Sequence, residues 1–469
     1  MFAEVSLLES SIDFLSYYVP QNLIPYLKIG SLVKVPLRGK IKPGIVVAVH
    51  DRMEVFNHKN TILKEIFQVV DEQFIPENLL NLLSWAREYY FASWGQIFQL
   101  VLSLPVYCYS VTPRNLNRQE NFLSYGMSEK CKCDDEFQVI LDTVNNRKHR
   151  VFLLLNNINI PLYKYYRELI INTLQLGRSV IFLVPEIRNI KEIISRLAVN
   201  ENLISIWHSG LKTSDRRKIW FKIKSQKISL VIGTRSALFM PINDLGLIII
   251  AEEHSRYYKE ERAFHYHARE LAIRYGEISQ AAVLLESSTP SIESFYNTQI
   301  KKFKLITIAH KFINSVSNVR VINLQKHRDW IISEPLKEEI LRANKQGGNV
   351  LLYHNKIGYA RFVICGDCGY IHTCLRCGVP LALDLERDLF ICRMCTNQTS
   401  TFDVCPSCHG YNFIYRGWGI QKIVSELKKI LPNTPISVIT SESSWKTLEP
   451  DKNIPQIFVV TKFGLWKLN

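Results

Sequence analysis

The apolar residues of this chain fall into two different periodicities. Between Gly30 and Asp51 two β-branched runs, "LVKV" and "GIVVAV", flank a basic stretch that contains Gly39 and Pro43, which predicts a strand pair. From Pro76 to Tyr90 the apolar positions Leu79, Leu80, Leu83, Trp85 and Ala86 recur at helical spacing. From residue 136 to 300 short continuous apolar runs alternate with amphipathic stretches: "RVFLLL", "SVIFLVP", "ISLVIGT", "LGLIIIAEEH" and "AAVLLESS". Runs that are apolar on both faces and separated by helices predict a parallel sheet covered on both sides. Two more such runs, "GNVLLYHN" and "PQIFVVTKF", bracket a cysteine-rich insertion and predict part of a second α/β layer. Residues 106–135 are polar and irregular and read as a linker.

Composition and charge narrow the function class. The chain has 469 residues, 47% of them hydrophobic, enough for about three packed domains. Lys and Arg number 58 against 43 Asp and Glu, a net charge of +15. Such an excess suits a polyanionic partner, because each neutralised phosphate releases condensed counterions; a genome-wide lysine bias is the bland alternative. The N-terminus carries Glu4 and Glu9 where a signal peptide needs a basic flank. The longest apolar runs, such as Leu245–Ala251, fall far short of the roughly 20 residues that span a bilayer. The expectation is a cytoplasmic protein with no membrane association.

Eight of the 11 cysteines lie in four Cys-x-x-Cys pairs: Cys365/Cys368, Cys374/Cys377, Cys392/Cys395 and Cys405/Cys408. Each pair places two thiolates on one knuckle, and two knuckles complete a tetrahedral four-sulfur zinc site. Eight cysteines therefore predict two closed Zn²⁺ sites, structural and not catalytic. Unligated thiols and an iron–sulfur cluster are the alternatives. Residues 361–411 hold four Arg and five acidic residues, and eight thiolates with two Zn²⁺ add about −4. A module this negative grips phosphate poorly, which favours a protein contact or an architectural role.

Several segments together resemble the primosomal protein N′ (PriA) family of replication-restart DNA helicases. The resemblance rests on "FLVPEI" (182–187), "HSGL" (208–211), "IGTRSALF" (232–239), "LGLIIIAEEH" (245–254) and "SSTPSIES" (287–294), in family order, with "YKEERAFHYHARELAIRYG" and the eight-cysteine spacing. Upstream, "VKVPLRG", "GIVVAV" and "LLSWAREYY" are similar to the family's 3′-DNA-end-binding domain. The implied fold class is α/β, with a superfamily 2 helicase-like parallel-sheet lobe, an N-terminal β-rich DNA-binding module and a partial second lobe interrupted by a two-zinc module. The implied domains are an N-terminal module at 1–105, a linker at 106–135 with the winged-helix domain missing or reduced, and lobe 1 at 136–310. Lobe 2 follows at 311–360 and 412–469, with the zinc module at 361–411. The resemblance also implies nested zinc pairing, the outer four cysteines on one metal and the inner four on the other.

Departures from the family bear on activity. A phosphate loop needs glycines whose amides wrap the phosphates, then Lys and Ser or Thr for charge and Mg²⁺. Here "NNINIPLYKYY" from Asn156 to Tyr166, which includes Asn159, has no glycine, and Pro161 removes an amide. Leu162 and Tyr163 stand at the family's Lys and Thr positions, with Lys164 alongside. Ala251 replaces the Mg²⁺-binding Asp, and Glu252 keeps the position of the general base as a vestige. The family's arginine-bearing closing motif is not in the sequence. The expectation is that ATP and Mg²⁺ chemistry is lost.

Candidate DNA contacts follow from the same comparison. Lys28, Lys34, Arg38, Lys40 and Lys42 form an acid-free stretch, and Tyr17 ends a Leu-Ser-Tyr that stands where the family has Phe-Asp-Tyr. A second basic cluster, Lys212, Arg216, Arg217, Lys218, Lys222, Lys224 and Lys227, carries Trp220 and Phe221, which could stack on bases or sit in a core. Arg235 is a further candidate DNA contact, and His254 and Arg269 lie in motifs that couple the cleft to DNA by analogy. The implied role is a primosome protein that binds forked, gapped or single-stranded DNA and recruits helicase-loading proteins, with single-stranded-DNA-binding protein as a further partner, in the bacterial cytoplasm at the nucleoid. The rival readings are an ATP-dependent 3′→5′ helicase with an unconventional or partner-completed site, and a decayed remnant.

Overall fold

The computed structural model describes residues 1–8, 13–51, 63–102, 135–156, 162–225, 229–261, 264–307, 319–323, 331–354, 360–376, 378–385, 387–392, 397–439 and 454–461. The expected linker at 106–135 lies almost wholly outside the described residues. The chain divides into two compact units, Met1–Ile313 and Asn314–Asn469.

The first unit opens with an antiparallel sheet of β1 (Phe2–Leu7), β2 (Leu15–Tyr18), β3 (Leu32–Leu37), β4 (Lys40–His50) and β5 (Gln68–Asp71), in the order β2-β1-β4-β3-β5. β3 and β4 are the expected strand pair. Leu37 faces Lys40 across a two-residue turn in which Arg38 (φ 47°) and Gly39 (φ 77°) are both left-handed. That is the turn whose twist matches the flanking strands. Alternate residues Ala3, Val5, Val33, Val35 and Val46 bury one face. Two helices follow, α1 (Glu77–Tyr89) and α2 (Trp94–Val101), the second started by a reciprocal Ser93–Gln96 capping box.

The same unit continues into α3 (Asp135–Asn145), β6 (Arg150–Leu155), α4 (Leu162–Gln175), β7 (Ser179–Leu183), α5 (Ile187–Leu197), β8 (Ile204–Trp207), α6 (Thr213–Ser225) and β9 (Leu230–Gly233). It is completed by β10 (Leu245–Ile250), α7 (Ala268–Ile278), β11 (Ala282–Ser287), α8 (Ile292–Gln299) and β12 (Lys304–Thr307). The strands form one parallel sheet in the order β12-β6-β11-β10-β7-β9-β8. The five runs predicted as strands are β6, β7, β9, β10 and β11, which are the five interior positions. β8 and β12, not anticipated, are the two edges. One face buries Phe152, Leu154, Phe182, Leu247 and Leu284 with α3, α4 and α5. The other buries Leu153, Ile181, Ile248, Val283 and Leu285 in a core that also holds Leu79, Leu83 and Ala86 of α1 and Leu271 and Tyr275 of α7. The N-terminal module and the lobe thus share one apolar core, and the Tyr90 hydroxyl accepts from the His267 amide at 3.2 Å across the seam.

The second unit contains α9 (Glu334–Lys345), β13 (Val350–Tyr353), β14 (Ala360–Cys365), β15 (Ala382–Asp384), β16 (Leu389–Ile391), β17 (Gln398–Ser400), β18 (Phe413–Trp418), α10 (Ile420–Ile430), β19 (Ile436–Ile439) and β20 (Ile457–Val460). The runs that bracket the cysteines pair in parallel as β13 and β20, within a sheet ordered β13-β20-β19. Ile340 of α9 and Ile420 and Leu427 of α10 pack with Ile457 and Val459. The cysteine-rich segment forms its own antiparallel sheet, β17-β16-β15-β14-β18.

Candidate functional site

The cysteine cluster is built from backbone turns. The Cys365 amide donates to the Tyr370 carbonyl at 2.9 Å, and the Cys365 carbonyl accepts from the Gly369 amide at 2.9 Å. Cys405 repeats this with Gly410 and His409, both at 2.9 Å, and Cys374 with Val379 and Gly378, both at 2.8 Å. Cys392 makes the first of these bonds, to Asn397 at 2.8 Å. The residue four after the first cysteine is left-handed in three knuckles: Gly369 (φ 77°), Gly378 (φ 68°) and His409 (φ 60°). In knuckles 365/368 and 405/408 both sulfurs lie to one side of this reversal.

Knuckles 365/368 and 405/408 face one another, and their four Sγ atoms lie within 4.8 Å of each other. Cys365 and Cys408 are 3.5 Å apart, and Cys368 and Cys405 3.7 Å. A metal about 2.3 Å from each sulfur of a tetrahedron requires sulfurs about 3.8 Å apart, so the donor set fits a metal ion. All four positions are protein sulfurs, which leaves none for a substrate. These are the outer cysteines of the sequence pattern. Of the inner four, Cys374 and Cys392 are buried in one apolar cluster with Phe390, and Cys377 and Cys395 lie outside the described residues.

The residues expected at DNA separate into two groups. Arg38 and Lys40 are exposed at the tip of the β3–β4 hairpin, and Lys34 is half-buried on β3. Tyr17, by contrast, is 3% exposed, with its hydroxyl donating to the Pro36 carbonyl at 3.4 Å. Its ring belongs to the core beneath the hairpin, so a base could reach it only if the sheet opened. Trp220 is fully buried and stacks on Phe74 with ring centroids 5.5 Å apart, which settles its role as core. On α6, Lys224 pairs with Asp71, Arg216 bonds the Ser209 carbonyl, and Arg217 is half-buried. Lys212 and Lys218 remain exposed. Arg235 pairs with Glu260 at 3.0 Å and donates to the Tyr257 and Lys259 carbonyls at 3.0 and 3.1 Å. Its guanidinium fastens the loop after β10 and does not face outward as a free cation.

The cleft expected for nucleotide lies at the carboxyl ends of β6, β10 and β11, where α4 begins. Asn159 is outside the described residues. Asn156 leaves β6 with its amide on the Ser287 carbonyl at 3.0 Å. Leu162 is buried and Tyr163 half-buried at the start of α4, both packed in the lobe core, where they offer no cation to a phosphate. Glu252 follows β10 in a left-handed conformation (φ 51°). Its neighbour Glu253 is fully buried and accepts from Arg269 Nη1 at 2.8 Å, the Ser291 amide at 2.6 Å, and the hydroxyls of Ser291 and Ser294 at 3.0 and 2.9 Å. Burial pushes the Glu253 carboxyl up, but the Ser291 amide, Arg269 and Ser294 outweigh it and hold it below the usual range. His254 Nδ1 meets the Ser287 hydroxyl at 2.7 Å.

One residue here escaped the sequence reading. Glu286, at the end of β11, is 6% exposed and accepts from the Glu252 amide at 3.1 Å. It continues the column Ala282–Leu284 on the α4 side of the sheet. A charged residue closing an apolar strand was the available signal, hidden because the adjoining "SSTPSIES" matched the family pattern.

A family model for the PriA 3′ DNA-binding domain matches residues 6–103. The replication restart protein PriA of Rickettsia conorii is 31% identical over 434 residues, 91% of this chain and 65% of that protein. PriA of Rickettsia prowazekii is 30% identical over 449 residues, 94% of this chain and 67% of that protein. The chain therefore spans about two thirds of the length of these relatives. A solved helicase domain, that of Hef from Pyrococcus furiosus, matches 40% of each chain at 14% identity with a TM-score of 0.27, which adds nothing to the assignment. Identity at this level over nearly the whole chain, together with the domain match at its N-terminus, makes this chain a member of the PriA family of replication restart proteins.

Proposed function

We propose that the chain is a replication-restart protein that binds forked, gapped or single-stranded DNA and helps recruit the primosome and helicase-loading proteins without hydrolysing ATP. Membership of the PriA family, with the 3′ DNA-binding domain matched at 6–103, carries this reading. The exposed Arg38 and Lys40 at the hairpin tip supply cations for backbone phosphates. Two Zn²⁺, on the outer and the inner cysteines, hold the second unit's knuckles as a rigid surface for a protein partner, with single-stranded-DNA-binding protein among the candidates. The non-hydrolysing reading is supported by a strand-to-helix loop that lacks glycine and by Ala251 at the metal-binding position. No helix among the described residues is long and apolar enough to cross a membrane, in keeping with a place in the bacterial cytoplasm at the nucleoid. The domain limits proposed are 1–105, 136–310, 361–411 and the two flanks of the last.

The deciding experiment measures fork binding and ATP turnover on one preparation. Binding should weaken by about 10³-fold or more between roughly 50 and 200 mM salt if about six phosphates are contacted. No DNA-stimulated turnover is expected. Turnover abolished by Glu252→Ala would instead establish the helicase reading.

A further inference from the structure

Helix α8 turns its apolar residues outward. Ile292, Phe295, Tyr296 and, just past its end, Ile300 fall at helical spacing on one face and are 86%, 42%, 61% and 52% exposed, whereas its buried residue is Ser294. A helix that only has to pack turns such a stripe inward, and an apolar face kept in water marks a contact surface. The helix closes on left-handed Lys301 (φ 60°), whose amide donates to the Thr298 carbonyl at 3.1 Å, and on Lys302, whose amide donates to the Asn297 carbonyl at 2.9 Å. Helix α3 closes in the same way. Its left-handed Arg147 (φ 51°) donates to the Val144 carbonyl and Lys148 to that of Thr143, both at 3.1 Å.

The fold brings these two caps together. They lead into β12 and β6, adjacent parallel strands at one border of the sheet, with Lys304 paired to Phe152, two residues after Arg150. The amino ends of the two strands therefore collect Arg147, Lys148, Arg150, Lys301, Lys302 and Lys304, and neither 143–152 nor 294–307 contains an acid. Lys148, Arg150, Lys301 and Lys302 are exposed, Arg147 has Asp244 at 3.8 Å, and Lys304 is half-buried. Cations also complement the dipole at a helix C-terminus, which accounts for Arg147 and Lys301 but not for Arg150, Lys304 or the exposed rings. Glu293, the acid of α8, lies in its first turn, 4.0 Å from Arg269 and at the opposite end of the helix from the lysines. The nucleotide cleft is at the other end of β6, roughly 15–20 Å away at about 3.3 Å per residue.

We propose that this border of the lobe is a second DNA surface, at which cations from the two caps bind the backbone of single-stranded DNA while Phe295 and Tyr296 stack on its bases. This rests on the DNA-binding reading above and adds a contact that neither the N-terminal hairpin nor the cleft supplies. Phosphate charge complements the acid-free stretches. Unpaired bases present flat apolar faces to the rings, and such stacking accepts any sequence. A duplex keeps those faces stacked on one another.

The test titrates the intact chain with a labelled thymidine oligomer and with a blunt duplex of equal length, between roughly 50 and 200 mM salt. Lys148→Glu with Lys302→Glu should reduce the single-strand slope of log K against log salt by at least about 1.4, or about 0.7 for each phosphate no longer neutralised. Tyr296→Ala should weaken single-strand binding about fivefold or more at every salt, leaving the slope and the duplex affinity as they were, and Tyr296→Phe, which keeps the ring, should bind as wild type. These side chains are exposed, so melting should not change; if charge reversal disturbs folding, Lys148→Gln with Lys302→Gln reads the same slope. Unchanged slope and affinity in the lysine variants, or equal losses from Tyr296→Ala on single strand and duplex, would overturn the proposal. A wild-type chain that binds no DNA sinks the function proposed above. Weakening by Arg38→Glu/Lys40→Glu, with wild-type binding in the α8 and cap variants, sinks this surface alone.

Discussion

Removing the Glu253 carboxyl should destabilise the first unit more than any surface change. Glu253 is fully buried and its partner Arg269 is 8% exposed, with 2.8 Å between them. In Glu253→Ala the guanidinium keeps the Ser291 hydroxyl at 2.6 Å, Glu270 at 3.0 Å, itself 42% exposed, and Glu293 at 4.0 Å. The Ser291 amide and two hydroxyls lose an acceptor as well. Breaking one side of a buried, hydrogen-bonded pair costs about 3–5 kcal/mol, close to three decades in the folding constant. Urea unfolding followed by circular dichroism measures it. The double variant Glu253→Leu/Arg269→Met, which removes both charges, should cost clearly less than the two single changes added. Acid gives a second check. The folded-state carboxyl lies below its ordinary value near 4.5, so its stabilisation is complete above that pH and is lost as pH falls through the folded-state value. The gap between wild type and Glu253→Gln should therefore close in acid. A Glu253→Ala cost under about 1 kcal/mol at neutral pH would refute the reasoning.

Other expectations rest on single side chains. Arg38→Glu with Lys40→Glu should weaken fork binding and flatten its salt dependence by about one unit for each phosphate no longer neutralised, with unchanged melting because both side chains are exposed. On the proposed two-zinc reading, Cys405→Ser should release the ion of the outer cluster and leave one zinc per chain, as elemental analysis would record; two retained ions would contradict that reading. Tyr17→Ala should cost about 3–5 kcal/mol through weakened packing, whereas Tyr17→Phe removes only a 3.4 Å hydrogen bond and should cost no more than about 1 kcal/mol. An unchanged stability for Tyr17→Ala would place the ring outside the core.

By itself the sequence determined the features that repeat locally. The five interior strands of the parallel sheet stand out because burial on both faces leaves their middles wholly apolar, with polar residues only at their ends, while the edge strands β8 and β12 carry shorter apolar runs. Cys-x-x-Cys spacing marks a knuckle for the same reason, since four residues suffice to make one. Tertiary structure alone decided which residues of distant segments meet. Trp220, an aromatic residue beside basic ones, reads equally well as base-stacking or as core until Phe74 closes over it, and Tyr17, expected at DNA by resemblance, sits in the core of the sheet. Arg235 counts as a cation in the sequence and is neutralised by Glu260, 25 positions later. Glu286 lies 34 residues after Glu252, and its carboxyl meets the Glu252 amide only because parallel pairing sets β11 beside β10. Periodicity records the environment of neighbours along the chain. Charge pairing and the filling of a cleft depend on groups that meet across it, and no local pattern encodes them.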